Sequence, residues 1–119
     1  MIMETMTEAY YPGGSIIGID MDSNTNDVIY TLPALTSGLR YTFLVNTNAG
    51  TGATLKITSP SAGNLAGMAI CGDGNEKILG TSFLNNLASK GDRMEIISDG
   101  NIWHITAFVS ASVGSVETS

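Results

Sequence analysis

The stretch GDRMEIISDGNIWHITAF, residues 91–108, decides the fold class. Two alternating apolar runs flank Asp99-Gly100, a dipeptide that favours a tight hairpin because its positions tolerate positive φ. Before the turn, Met94 and Ile96 share one face, with Arg93 and Glu95 on the other. After it, Trp103, Ile105 and Ala107 lie opposite Ile102, His104, Thr106 and Phe108. A period of two predicts one core face and one wetter face on each strand.

Working outward, the same grammar recurs along the chain. Residues 15–20 (SIIGID) and 27–32 (DVIYTL) read as short strands, the second closed by Pro33, which cannot donate to a ladder. Residues 39–46 (LRYTFLVN) form the most regular strand, with Leu39, Tyr41, Phe43 and Val45 on one side. Residues 53–58 (ATLKIT) and 65–71 (LAGMAIC) follow, with Gly67 inside the latter. An interior strand glycine marks a bulge or a close approach of backbones. Residues 77–80 are a short apolar piece, and 81–89 are given strand or extended structure, although the spacing of Phe83, Leu84 and Leu87 also suits a helical turn. Short strands with regular turn signals predict an all-β, antiparallel β-sandwich of jelly-roll type. No internal repeat is evident, which argues against a solenoid. Residues 1–14 read as an extended N-terminal arm, 15–109 as the sandwich domain and 110–119 as a flexible C-terminal tail.

The chain has 119 residues with five Lys+Arg, eleven Asp+Glu and a net charge of −6. That length suits one domain. The cations Arg40, Lys56, Lys77, Lys90 and Arg93 are scattered, so nucleic acid is not an expected partner. No apolar run approaches the ~20 residues of a membrane span. Residues 1–14 hold Glu4 and Glu8 where a secretory leader would need basic and then apolar residues. Charged residues make up only 13%, against about 25% in average proteins. A surface this poor in charge suits a subunit that buries part of itself against copies or a partner.

Candidates for chemistry are few. His104 is the single histidine and Cys71 the single cysteine. One of each falls short of a catalytic zinc site, which takes about three protein ligands, and a lone mid-strand histidine suits a structural or interface role. Cys71 is expected to be a buried, inert thiol. Asp20, Asp22 and Asn24 open like a calcium loop, but Thr25 and Thr31 stand where the helix-loop-helix motif needs Gly and Glu. A solvated turn is the preferred reading, and a looser calcium site the alternative. The loop at residues 46–52 (NTNAGTG) leads into a strand rather than a helix, so no phosphate cradle is expected. The acids Asp20, Asp22, Asp73, Asp99 and Glu95 read as solvated, and Trp103 as core rather than a sugar-stacking platform. No catalytic, cofactor or metal residue is assigned, and no enzyme activity is expected.

Three pieces carry a resemblance: Leu32-Pro33 with residues 37–43 (SGLRYTF), residues 53–57 (ATLKI), and residues 91–103 (GDRMEIISDGNIW). Together they resemble small structural domains of tailed-phage virions, the capsid decoration (cement) and fibre-associated β-sandwich proteins. The resemblance implies a virion protein on the capsid surface, assembled in the host cytoplasm. It implies a symmetric homo-oligomer, expected to be a trimer, that binds the major capsid protein and stabilises the lattice, with residues 1–14 as contact arm. The alternative is a receptor- or carbohydrate-binding module of a fibre or head appendage.

Overall fold

In a computed structural model of the chain, residues 2–21, 27–36, 38–50, 52–61 and 64–118 are described. The strands are β1 (Ile2–Thr5), β2 (Ile16–Asp20), β3 (Val28–Thr31), β4 (Arg40–Thr47), β5 (Leu55–Thr58), β6 (Leu65–Ile70), β7 (Glu76–Leu79), β8 (Ser82–Asn85), β9 (Arg93–Ser98), β10 (Trp103–Phe108) and β11 (Val116–Glu117). They form a five-stranded sheet, β1-β3-β5-β8-β11, and a six-stranded sheet, β2-β4-β9-β10-β6-β7. The two sheets pack as a β-sandwich, as the alternating patterns predict.

The hairpin β9–β10 behaves as read. Met94, Ile96, Trp103, Ile105 and Ala107 are buried, while Arg93, Glu95, His104, Thr106 and Phe108 face outward. Its connection is longer than a tight primed turn. Ser98 pairs with Trp103, leaving residues 99–102 as the loop, with Gly100 at φ 93°. Asp99 Oδ1 accepts the N–H groups of Asn101 and Ile102, each at 2.8 Å. The carboxylate does the work that a two-residue turn leaves to backbone.

The strand pairing is mixed rather than wholly antiparallel. β1 runs parallel to β3, β3 to β5, β2 to β4 and β6 to β10. In its first half the chain alternates between sheets and winds as a coil. Ile2 lies beside Val28 and Val28 beside Leu55, and Ile16 lies beside Thr42, so each circuit takes 26 or 27 residues. The expected absence of a repeat is thus corrected at the level of backbone. Thr5, Thr31 and Thr58 close corresponding strands, and the next residues, Met6, Leu32 and Ser59, all turn inward. Loops of different composition between those positions hide the period from the sequence.

Within the segment expected as an arm, residues 2–6 are paired into the fold. β1 is hydrogen-bonded into its own sheet, with Ile2 N–H donating to Asp27 O and Met6 N–H to Thr31 O. The Met6 side chain lies in the core. The expected C-terminal tail is corrected as well. Residues 113–115 form a 3-10 turn, β11 pairs with β8, and Val116 and Ala111 are buried. Burial of Met6 at one end, and of Ala111 and Val116 at the other, offsets the entropy of ordering these segments.

The core joins the inner faces of both sheets. Tyr30 meets Phe43 edge-on, with ring centroids 5.3 Å apart, and Tyr41 lies 6.0 Å from Trp103. Such pairs stabilise beyond their area alone. The buried polar ends are satisfied: Trp103 Nε1 donates to Pro33 O at 3.3 Å, and the Tyr41 hydroxyl donates to Tyr11 O at 2.6 Å.

Candidate interaction surface

The residues singled out for chemistry are kept apart by the fold. Cys71 is buried at the end of β6, and burial, then the nearby Asp73 charge, push its thiol up. A thiol held protonated is a poor nucleophile. His104 is exposed on β10, and its Nε2 donates to Asp99 Oδ2 at 3.0 Å. Asp99 is held down at about 2, first by that hydrogen bond and then by the N–H groups of Asn101 and Ile102. Asp73 is lowered by the backbone N–H groups of Val113 and Asn75, which pin the 3-10 turn to the loop after β6. Glu95 pairs with Arg93 at 3.1 Å on the exposed face. Trp103 is fully buried, so its ring offers no platform to a sugar. Asp20 accepts the Thr47 hydroxyl, and the rest of the possible calcium loop, residues 22–26, lies outside the described residues. Among the described residues, no group of three or more His, Cys, Asp or Glu side chains could hold a metal ion, and no pocket opens.

One acidic group that sequence reasoning missed is Asp92. Its side chain is buried beside Asn85, whose Nδ2 donates to Asp92 Oδ2 at 3.2 Å. Ser89 N–H donates to the same oxygen at 3.0 Å, and Ser110 N–H to Oδ1 at 3.1 Å. With all of these donors committed inside the protein, the carboxylate is a bolt between the β8–β9 loop and the end of β10. Buried polar groups persist where hydrogen bonds replace their water.

What the structure brings together instead is an apolar surface. On the outer face of the six-stranded sheet, Phe108 lies between Arg93 of β9 and Ile70 of β6. In the next row, Met68 lies between Thr106 of β10 and Ile78 of β7. Ile78 is 69% exposed, Ile70 41% and Phe108 38%. The Arg93 guanidinium sits 4.9 Å above the Phe108 ring, which holds that ring in place at the patch border. Phe108 was already on the wetter face by alternation. Met68, Ile70 and Ile78 join it through the parallel β6–β10 pair, which no local pattern announces.

No protein-family model matches the sequence, and no curated protein and no solved structure is similar to it at a significant level.

Proposed function

We propose that the protein is a viral structural subunit: a phage capsid decoration or cement protein that binds and stabilises the capsid lattice as a symmetric oligomer. The observation that carries this reading is the cluster of Phe108, Ile70, Met68 and Ile78 on the outer face of the six-stranded sheet. Grouped apolar side chains on a solvent face favour contact with another protein. The low charge content supports the same reading, since a lattice binder works through many modest contacts rather than one deep pocket. The major capsid protein is the partner, and the outer face is the contact surface in place of the arm expected from the sequence.

The test is co-sedimentation with capsids stripped of their decoration. Wild-type protein should pellet with capsids and raise their resistance to heat. The double variant Phe108→Ser, Ile78→Ser should lose most of that binding while keeping its fold. Wild-type protein that stays in the supernatant, or variants that bind as well as wild type, would remove the proposal. Deleting residues 1–14 is a poor probe here, because it takes β1 and Met6 out of the sandwich.

A further inference from the structure

The chain carries two Asp-Gly pairs, Asp73-Gly74 and Asp99-Gly100, each with an exposed aspartate. This dipeptide has a reaction of its own. The glycine nitrogen, with no side chain beside it, attacks the aspartate Cγ. The N–Cγ bond forms as the protonated carboxyl gives up its hydroxyl and the nitrogen its proton, together one water. The cyclic succinimide then takes up water at either carbonyl. One opening restores aspartate, and the other yields isoaspartate, whose main chain runs through Cβ and Cγ. Water is the only co-reactant.

The fold holds the two pairs out of this reaction in different ways. At the first, Gly74 N–H donates to the backbone carbonyl of Cys71 at 3.0 Å. Asp73 Oδ1 accepts Asn75 N–H at 3.0 Å, and Oδ2 accepts Val113 N–H at 3.1 Å. Ring closure there has to break a backbone turn and also part the loop from a segment 40 residues further on. At the second, Gly100 N–H donates only to a hydroxyl, Ser98 Oγ, at 3.1 Å. Asp99 commits Oδ1 to Asn101 and Ile102 and Oδ2 to His104. All of these partners lie within residues 98–104, so one opening of the hairpin tip frees nitrogen and carboxyl together. Such local openings cost far less than global unfolding. The flanks themselves are fixed. Ser98 N–H donates to Leu39 O at 2.8 Å and Gly38 N–H to Ser98 O at 2.9 Å, while His104 lies between Ile97 and Ala66.

We propose that Asp99 is the site of spontaneous backbone isomerisation in this protein, and that Ser98 and His104 guard it. Ring closure needs the Gly100 nitrogen and the Asp99 Cγ aligned. Ser98 fixes the first of these and His104 the carboxylate that carries the second. The same donors, His104 first, hold Asp99 at a pKa of about 2, which keeps the protonated carboxyl scarce. The product does not fit back. Isoaspartate adds a main-chain atom between Ser98 and Gly100 and moves the carboxylate away from the Asn101 and Ile102 N–H groups, so a converted tip stays open. This chemistry involves no partner and stands apart from the capsid reading.

The experiment follows folded protein through prolonged incubation in neutral buffer, with tryptic digests taken over time. Cleavage after Lys56, Lys77 and Arg93 puts Asp73 in the peptide 57–77 and Asp99 in the peptide 94–119. Isoaspartate appears in each as a species of unchanged mass and shifted retention, labelled by a protein isoaspartate methyltransferase. The unchanged mass separates it from asparagine deamidation. In urea both peptides should convert at similar rates. In the folded wild type both should slow, and 57–77 the more. Ser98→Ala and His104→Ala each remove one hydrogen bond and should speed conversion in 94–119 by roughly two- to tenfold. Conversion in 57–77 should not change, and both variants should keep the wild-type far-ultraviolet circular dichroism. If one variant fails to fold, the other decides, together with the ratio of the two peptides in wild type. Folded variants that convert no faster than wild type, or a folded wild type in which 57–77 converts as fast as 94–119, would overturn the inference.

Discussion

Gly67 is the position in β6 where a side chain has nowhere to go. Its φ is 147°, and a Cβ built there would lie 1.8 Å from the carbonyl oxygen of Ile105, its parallel neighbour on β10. The obstacle is backbone in the middle of a sheet, so relief requires the β6–β10 ladder to shift. Gly67→Ala is therefore expected to destabilise the fold by on the order of 3 kcal/mol, in the range where large single-site effects arise from strain and lost packing. Urea denaturation followed by Trp103 fluorescence measures this directly, and an unchanged midpoint would refute the close approach. The pattern of residues 65–71 already marked this glycine as a bulge or a close approach. Which of the two it is, and which strand lies against it, came from the parallel register with β10. Asp92 shows the opposite case. Nothing in Gly91-Asp92-Arg93 distinguishes a buried carboxylate from a solvated turn residue, because its donors come from positions 85, 89 and 110.

At the scale of the element, the β9–β10 hairpin depends on one carboxylate. Asp99 closes the 99–102 loop through two backbone N–H groups and receives His104 from the adjoining strand. Its folded-state pKa is depressed to about 2 from an ordinary 3.8. The sign follows from linkage: the ionised form is favoured in the folded state, so this stabilisation is present above about pH 4. It is lost as pH falls through about 2. Asp99→Asn should thus lower thermal stability at pH 6 and show a smaller further loss between pH 4 and pH 2 than wild type. Thermal melts at those pH values check it, and parallel curves for the two proteins would refute the role. The alternation of this hairpin was legible over residues 93–96 and 103–107, where polar and apolar residues alternate; Ile97 and Phe108 facing outward and Ser98 buried inside depart from that pattern. The loop length was not legible, because Asp-Gly suits a two-residue turn and a longer carboxylate-capped loop equally.

The whole molecule combines a two-sheet coil with later strands that pair among themselves and against the coil. Its net charge of −6 bears on any self-association, since two copies repel at long range. Salt should screen that repulsion while leaving apolar contacts between copies largely intact. Raising ionic strength from 0.01 M to 0.15 M shortens the Debye length from about 30 Å to about 8 Å, and the proposed oligomer should tighten over that range. Sedimentation equilibrium at the two salt concentrations tests this. Weakening with salt would point to an interface held by ion pairs instead.

The amino-acid order by itself determined that this chain is all-β. Strand periodicity is a local property: Tyr41, Phe43 and Val45, or Trp103, Ile105 and Ala107, declare their buried face within a few residues. It also placed Phe108 and His104 on the outer side of β10. Only the tertiary structure decided which strands are neighbours, because parallel pairing joins positions 26 residues or more apart through loops that carry no pairing signal. The coil, the anchoring of residues 2–6 and 116–117 and the patch around Phe108 all follow from those long-range choices. They were settled by which packing of the two sheets buries Met6, Val116 and the aromatic core together.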